Sequence, residues 1–268
     1  MNKKIGIIGA GRIGRAIIKG LINTGIDSSS IIASVRTEQS ARKLQELKVN
    51  FTFDNYRVIE QADLIIIALK PYTILENIEL LKRISSEKIV VSVAAFIPLS
   101  FYKKNVNTKE VYRAMPNVNV EVNKGFIALH GEKNANSSLI ENLFGLLGEI
   151  EWVSEEVLDK LTLICASSPA LITEIMDALE IAAMYIGIPQ NIARKAIINI
   201  LRGTAELATN KELQSIRNSI ITPKGITSKL MREFIRLNVK SSVLETFIQA
   251  SEDLEQIIMK LKIDHKID

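Results

Sequence analysis

The sequence is poor in the residues that most often carry metal or covalent chemistry. It contains one cysteine, Cys165, and two histidines in 268 residues. A single cysteine excludes an intramolecular disulfide, which agrees with a reducing compartment. No Cys or His residues have the spacing of a metal site, and neither histidine belongs to a recognisable catalytic triad. We therefore expect no metal site and no triad hydrolase.

Long apolar runs and an excess of one charge are also missing. No run approaches the ~20 apolar residues of a membrane span, and Gly9, Gly11 and Arg12 interrupt the apolar start before it is long enough for a signal peptide. The net charge of +4 arises from 34 basic and 30 acidic residues that are interspersed, which disfavours nucleic-acid binding. We expect a cytoplasmic protein without a membrane partner.

A nucleotide-binding turn stands at the start of the chain. The apolar segment 5–8 runs into Gly9-Ala10-Gly11-Arg12-Ile13-Gly14, which opens a helical pattern. This is the context that the dinucleotide-binding fingerprint requires. Gly9 would permit the tight turn, Gly11 the close approach of a pyrophosphate, and Gly14 the packing of the helix on the sheet. The helix N-terminus would face the phosphates.

The end of the second predicted strand indicates which cofactor binds. About twenty residues after Gly14, where an NAD-specific fold has an acid, the chain has Ser34-Val35-Arg36-Thr37. Two hydroxyls and a guanidinium suit a 2′-phosphate, which arginine holds with paired, charge-assisted hydrogen bonds. The pattern favours NADPH and leaves NADH possible. The alternative is that Arg36 is an ordinary surface residue.

Apolar, β-rich runs alternate with helical patterns through the first half of the chain. Near-continuous apolar strands are typical of parallel sheets that are covered on both faces. The alternation predicts an α/β fold with a doubly wound, Rossmann-type sheet. The predicted strands are 31–35, 63–69, 88–93, 110–113, 125–129 and 151–153, and the predicted helices are 39–47, 55–62, 75–84 and 138–147.

Strand signals stop after residue 154. Helical patterns cover 157–186, 191–209, 229–237 and 239–261. We therefore expect an NADP-binding Rossmann domain over 1–155 and an all-α domain over 156–268. The segment 171–183 is apolar around most of its circumference, so a lone helical domain cannot bury it. This half of the chain is predicted to form a homodimer or a larger homo-oligomer.

The scarcity of acid catalysts favours one type of reduction. A ketone reductase usually needs an acid to protonate the developing alkoxide. His130 ends an apparent strand, where a satisfied structural role is expected, and His265 lies in a charged tail. An imine can arrive already protonated, so that hydride transfer to it needs mainly orientation and hydrogen-bond donors. The composition therefore favours imine reduction over carbonyl reduction.

Short motifs along nearly the whole chain carry a family resemblance. They are the turn Gly9–Gly14, Ser34 with Arg36-Thr37, Asn55, Ala68-Leu69-Lys70-Pro71, Ser92-Val93-Ala94-Ala95, Arg113-Ala114-Met115-Pro116-Asn117 and Thr222-Pro223-Lys224-Gly225-Ile226-Thr227. In this order they resemble the pyrroline-5-carboxylate reductases. The most specific are Lys70-Pro71 and the string 113–117.

The resemblance implies NADPH-dependent reduction of the cyclic imino acid Δ1-pyrroline-5-carboxylate to L-proline, the last step of proline biosynthesis. It makes Thr227 the catalytic residue, with its hydroxyl near the imine nitrogen. The implied substrate-binding residues are Thr222, Lys224, Gly225, Ile226 and Thr227. The implied cofactor contacts are Gly9, Ala10, Gly11, Arg12, Ile13, Ser34, Arg36, Asn55, Ala68 and Lys70, with Ala94, Met115, Pro116 and Asn117 beside the nicotinamide.

The chain departs from the family's pattern on the substrate side. Lys224 stands where the family has a loop glycine, and Phe96 stands where it has a small residue. Segment 165–170 replaces a glycine-containing helix start. Lys224 would either supply an ammonium group in place of backbone N–H contacts or obstruct the pocket.

Two other functions remain open at this point. One is a β-hydroxyacid dehydrogenase-like carbonyl reductase, in which Lys160 would act as the acid. The other is a non-catalytic dinucleotide-binding regulator whose substrate pocket has decayed.

Overall fold

The apolar segments of the first half pair into one eight-stranded sheet. The computed structural model describes residues 3–265. The strand order is β3-β2-β1-β4-β5-β6-β7-β8. The strands are β1 Ile5–Ile8, β2 Ile31–Ser34, β3 Asn50–Thr52, β4 Leu64–Ile67, β5 Ile89–Ser92, β6 Val111–Pro116, β7 Gly125–Gly131 and β8 Gly148–Trp152.

The pairing direction changes once across the sheet. The first six strands in sheet order, β3-β2-β1-β4-β5-β6, run parallel to one another. Strand β7 is antiparallel to β6 and parallel to β8. The connection between β6 and β7 is a short 3₁₀ turn, Val118–Val122, which is too short to carry the chain back across the sheet. Strand β1 lies between β2 and β4, so the winding of the chain reverses there, where doubly wound sheets bind ligands.

The helices connect the strands and then make up most of the second half. They are α1 Arg12–Asn23, α2 Glu38–Glu46, α3 Asn55–Gln61, α4 Pro71–Glu76, α5 Ile78–Lys82, α6 Leu99–Asn105, α7 Ser137–Gly145, α8 Glu155–Leu161, α9 Ser168–Tyr185, α10 Gln190–Ala208, α11 Leu213–Ile220, α12 Ile226–Arg236 and α13 Val239–His265.

The elements differ from the predictions in a few places. The helix predicted over 75–84 is two short helices, because the backbone leaves the helical region at Asn77. The helix predicted over 157–186 is interrupted by a π-helical segment, Thr162–Ala166. Strand β3 is only three residues long and has no periodicity to detect. Helices α6 and α11 were not predicted either.

The core lies on both faces of the sheet, as the apolar strands require. Ile7 and Ile66 belong to a buried cluster under α1 and α2, whereas Ile8 and Ile65 belong to a second cluster with α3 and α6. Alternate residues of one strand therefore face opposite clusters. Burial of each side chain of this size stabilises the folded state by about 1.5–3 kcal/mol relative to leaving it exposed.

Two compact units make up the chain. One contains the residues up to Pro169 together with those from Leu254 onward, and the other contains Ala170–Asp253. In the first unit, Leu261 near the end of α13 is buried in the same cluster as Ile74 and Tyr102. The predicted division into domains at residue 155 stays a prediction.

Helices of the second unit expose many apolar side chains. Among its described residues, Ala193, Ile197 and Ile216 are the buried hydrophobic ones. Exposed apolar patches of this kind mark interaction surfaces. The large side chains exposed by more than a third include Ile172, Ile175, Leu179, Ile181, Tyr185, Ile186, Ile192 and Ile200.

One helical stretch is long and apolar enough to cross a membrane, judged by length and composition alone. It is Glu155–Tyr185 among the described residues, and a single helix of this kind is weak evidence for a membrane span. The same length and composition occur in helices that pack against another protein chain. A second copy of the chain is therefore a sufficient reason for the exposed apolar surface.

Analytical ultracentrifugation at micromolar concentration, without detergent, should show a dimer or larger species. The double variant Ile175→Asp with Leu179→Asp places two charges one turn apart on α9 and should shift the protein toward monomer. A matched control is Val118→Asp with Val122→Asp, which changes two valines of the first unit that are more exposed than the α9 pair. A monodisperse wild-type monomer would contradict the prediction.

Candidate functional site

A glycine turn joins β1 to α1. Gly9 has φ of +90°, and a Cβ there would lie 2.6 Å from Leu69 Cδ2. A Cβ at Gly14 would lie 2.8 Å from the carbonyl oxygen of Gly9 and 3.3 Å from Ile7 Cγ2. Any side chain at Gly14 would push α1 away from the sheet. The helix therefore starts closer to the strand ends than any residue with a side chain at position 14 would allow.

The start of α1 offers unpaired donors to an anion. The first helical hydrogen bond runs from Arg15 N to the carbonyl oxygen of Gly11 (3.1 Å), so the preceding N–H groups of the helix have no intrahelical acceptor. Within the described residues, a Cβ at Gly11 would meet one atom within 4 Å, the Gly9 carbonyl oxygen at 3.9 Å. The first turn carries no acid, and Arg12 is exposed. This arrangement fits a phosphate group.

Ser34 supports the glycine turn from β2. It is 2% exposed, its Oγ accepts a hydrogen bond from Gly9 N (2.9 Å), and its carbonyl oxygen accepts one from Ala10 N (2.7 Å). Thr37 caps α2, since its Oγ1 accepts from Ser40 N (3.2 Å). Both hydroxyls therefore have partners inside the protein. Arg36 is exposed directly after β2 and is the residue of this group that is free to reach a 2′-phosphate.

The other predicted cofactor contacts follow neighbouring strands. In the register of the sheet, Ile8 lies beside Ile67, Ile67 beside Ser92, and Ser92 beside Arg113. Because the carboxyl ends of parallel strands meet at one edge, the residues after these positions lie along the same edge as the glycine turn. Those residues are Ala68 and Lys70 after β4, Ala94 after β5, and Met115, Pro116 and Asn117 at the end of β6. Asn55 is the first residue of α3, which follows β3.

Asn117 carries a buried acceptor without a partner. The residue is 9% exposed, and its Oδ1 makes no hydrogen bond within the described part of the chain. An unsatisfied buried polar atom costs about 1–3 kcal/mol. An amide N–H of a bound molecule would remove this cost. The carboxamide of a nicotinamide ring has such a donor, so the residues at this edge fit the cofactor that the sequence predicts.

Phe96 adopts a backbone conformation that a bulky residue rarely occupies. Its φ is +66°, two residues after Ala94, and its partly buried ring packs against the apolar cluster that contains Ile97 and Tyr102. The left-handed region costs an ordinary residue roughly 1–2 kcal/mol. A glycine at this position would avoid that cost because it has no Cβ.

The predicted substrate loop is a tight turn in the second unit. Gly225 N donates to the carbonyl oxygen of Thr222 (3.1 Å), and Lys224 at the third position of this turn has φ of +61°. Pro at the second position and positive φ at the third are typical of a type II turn. Helix α12 starts directly after it, so Thr227 lies half-buried in the first helical turn. Lys224 is exposed and keeps the conformation that a glycine would adopt.

Two residues that bear on the alternative reading have structural partners. His130 Nδ1 lies 3.0 Å from the carbonyl oxygen of Val153, which confirms the expected structural role. Lys160 Nζ lies 2.6 Å from Glu156 Oε1 on the surface. The hydrogen bond and the charge of Glu156 raise the pKa of Lys160 above its ordinary value, which makes Lys160 a weaker acid.

A buried ion-pair network was missed by the sequence reasoning. Arg113, on β6, is 0% exposed, and its guanidinium contacts Glu155 and Asp159 on α8. The available signal was a charged residue inside an apolar strand, with two acids four residues apart near the predicted start of a helix. The predicted strand ends at Arg113, and a charged side chain at a strand end is expected to reach solvent and to need no partner.

Comparison with known proteins places the chain in a family. Residues 4–96 match the family model described as NADP oxidoreductase coenzyme F420-dependent, and residues 155–257 match pyrroline-5-carboxylate reductase dimerisation. Pyrroline-5-carboxylate reductase 3 of Rattus norvegicus is 30% identical over 84% of this chain and 85% of its own length. The chain belongs to the pyrroline-5-carboxylate reductase family. The match to a dimerisation region also supports a homo-oligomer.

Other reductases of this family agree with the assignment over a longer span. Pyrroline-5-carboxylate reductase of Methanosarcina acetivorans is 29% identical over 96% of this chain and 98% of its own length. The structure of a pyrroline-5-carboxylate reductase from Coxiella burnetii has a TM-score of 0.78 at 28% identity, over 97% of this chain and 99% of that one. The fold is shared with a Plasmodium falciparum pyrroline carboxylate reductase solved with NADP bound, at a TM-score of 0.84 and 21% identity over 95% and 98% of the two chains.

Proposed function

We propose that this protein reduces Δ1-pyrroline-5-carboxylate to L-proline with NADPH. The observation that carries the proposal is the family membership of a chain that retains the glycine turn and the strand-end residues at one edge of the sheet. Several relatives are named pyrroline-5-carboxylate reductase, and a protein of the same fold has been solved with NADP.

The residues of the first unit would hold the cofactor. The amides of Arg12 and Ile13 at the start of α1 would bind the pyrophosphate, Gly9, Ala10 and Gly11 would form the turn against which it lies, and Arg36 would pair with the 2′-phosphate. Asn117 Oδ1, which has no partner within the described residues, would accept a hydrogen bond from the carboxamide, and Ala94, Met115 and Pro116 would exclude water from the ring. When bound, the nicotinamide supplies a hydride to the imine carbon. Ser34 acts through the glycine turn, and Asn55, Ala68 and Lys70 complete the proposed contacts.

The turn 222–227 would hold the substrate. Lys224 supplies a positive charge for the carboxylate, and its exposed position leaves it accessible. Thr222, Gly225 and Ile226 shape the turn, in which a Cβ at Gly225 would collide with Thr222 Oγ1. The Thr227 hydroxyl oxygen accepts a hydrogen bond from the N–H of the protonated imine. Because the imine arrives protonated, this orienting role is sufficient and no further acid is required.

The carbonyl reductase and regulator readings have less support. The proposed acid of the first, Lys160, is exposed and paired with Glu156. The second depends on a decayed substrate loop, whereas the turn at Lys224 keeps the backbone conformation of a glycine. We place the enzyme in the cytoplasm as a homodimer or larger assembly, in which a second copy covers the apolar helices.

Arg36 should determine cofactor preference. Arg36→Glu should raise the KM for NADPH by about 10-fold or more relative to the KM for NADH, because a charged contact worth ~1.5–3 kcal/mol becomes repulsive. Steady-state kinetics with both cofactors measures this ratio. Arg42→Glu on the exposed face of α2 is the matched charge reversal and should leave the ratio unchanged. Equal effects of Arg36→Glu on both cofactors would refute the assignment.

Thr227 should contribute to the chemical step. Thr227→Ala should lower kcat about 10-fold or more, since a hydrogen bond that strengthens in the transition state is worth ~1.4 kcal/mol per decade of rate. Binding of NADPH, measured by its fluorescence, should stay the same. Ser228→Ala serves as the control, because Ser228 Oγ donates to the carbonyl oxygen of Gly225 within its own helix. A fully active Thr227→Ala would show that the site has been misplaced.

Lys224 should set affinity for the substrate carboxylate. Lys224→Gln removes the charge and should raise the KM for the imino acid about 10-fold, and Lys224→Gly should do the same, because it removes the charge while permitting the turn. Lys229→Gln, a neighbouring exposed lysine on α12, is the control. A lower KM in either Lys224 variant would mean that the lysine obstructs the pocket.

A further inference from the structure

Arg113 occupies a position where a charge is costly. It lies within β6, between Ser92 on β5 and His130 on β7, and its side chain is 0% exposed. A guanidinium removed from water needs partners of opposite charge at hydrogen-bonding distance. Packing alone does not explain why a charged residue stands in an otherwise apolar, buried strand.

Two carboxylates of α8 supply those partners. Arg113 Nη1 donates to Glu155 Oε1 (2.8 Å), and Nη2 donates to Asp159 Oδ1 (2.6 Å). Glu155 and Asp159 are four residues apart and therefore lie on one face of the helix. Burial disfavours the charged guanidinium, but the hydrogen bonds and charges of the two acids outweigh it and raise the pKa of Arg113 above its ordinary value. The ion pair attaches α8 to β6.

Glu155 makes a second contact that Asp159 does not. Its Oε1 also accepts a hydrogen bond from Leu99 N (2.6 Å), at the first residue of α6. The same oxygen thus joins the β6 arginine to the segment that follows β5. Asp159 makes its side-chain hydrogen bonds to Arg113, within the residues that the structure describes.

Helix α6 in turn contacts the backbone beside Ala94. Ser92 Oγ donates to Tyr102 Oη (2.6 Å) and accepts from Ala94 N (3.2 Å). Both side chains are buried, and burial raises the pKa of the Tyr102 hydroxyl, which stays protonated. Contacts therefore run without a break from Arg113 through Glu155 and α6 to Ala94.

We propose that Arg113 and Glu155 are positioning residues, which hold the segment between β5 and α6 against the end of β6 and so place Ala94 and Asn117 beside the nicotinamide. The inference rests on the proposed function, since it assumes that the ring lies between these strand ends. Because Phe96 adopts a strained conformation in the intervening segment, this segment needs such an external restraint.

The contrast between Glu155 and Asp159 provides the test. Glu155→Gln and Asp159→Asn each replace a carboxylate by an amide of the same size against the same arginine, but only Glu155 also contacts Leu99. Both variants should lower the urea midpoint of unfolding. Glu155→Gln should also lower kcat by about 10- to 100-fold, because small misplacements of reacting groups have effects of this size. Asp159→Asn should lower kcat by about 3-fold or less.

A primary deuterium isotope effect reports on the hydride step itself. With NADPH deuterated at the transferred position, Glu155→Gln should show a larger isotope effect on kcat than wild type, and Asp159→Asn should not. Equal losses of kcat in the two variants, or an unchanged isotope effect in Glu155→Gln, would overturn the inference. If Glu155→Gln does not fold, Tyr102→Phe provides the same test, because it removes the hydrogen bond between α6 and Ser92 without leaving a buried charge unpaired.

A binding measurement separates this inference from the proposed function. If the wild-type protein does not reduce the imine, the proposed function fails, and the emission of bound NADPH then tests the placement of the ring. Glu155→Gln should shift that emission relative to wild type, whereas Asp159→Asn should not. Identical emission from both variants and wild type would overturn the inference independently of turnover.

Discussion

The parallel pairing of β1 with β2 and β4 is the interaction on which the candidate cofactor site depends. Every residue of these strands is buried, and all but Ser34 are nonpolar, so their register is strongly specified by burial. Because they run in the same direction as β5, the residues that follow β1, β4 and β5 lie along one edge of the sheet. The glycine turn, Ala68 and Ala94 are neighbours for this reason, although up to 85 positions separate Gly9 from Ala94 along the chain.

Two residues at family glycine or small-residue positions keep a left-handed backbone. Phe96 has φ of +66° and Lys224 has φ of +61°. The cost of about 1–2 kcal/mol at each is offset by the contacts around it: the buried network of Arg113 brackets the segment of Phe96, and the hydrogen bond from Gly225 to Thr222 closes the turn of Lys224. Both positions near the proposed site therefore carry a bulky side chain on a backbone conformation that favours glycine.

The two units differ in how completely they bury their own apolar residues. The sheet of the first unit is covered by helices on both faces. Helices of the second unit leave large side chains such as Ile181 and Tyr185 in solvent. Since a helix that is apolar around its circumference requires cover on several sides, the second unit is complete only in an assembly. The match of this region to a dimerisation family has the same physical basis.

The sequence alone determined the Rossmann-type sheet, most of its strands, the glycine turn and the family, because these depend on local periodicity and on short motifs. It also predicted correctly that His130 has a structural partner. It did not determine the antiparallel β7, which depends on the short link after Asn117, nor the breaks in the helices at Asn77 and at 162–166.

Only the tertiary structure decided which side chains meet. Ser34 reads in the sequence as a cofactor residue, but the fold directs its hydroxyl to Gly9 N. Arg113 and Glu155 are 42 positions apart, and their residue types indicate that each needs a partner but not which one, because the distance between them is set by how α8 packs on β6. Periodicity specifies which face of an element is buried, whereas a hydrogen bond between distant residues exists only once those faces have been packed together.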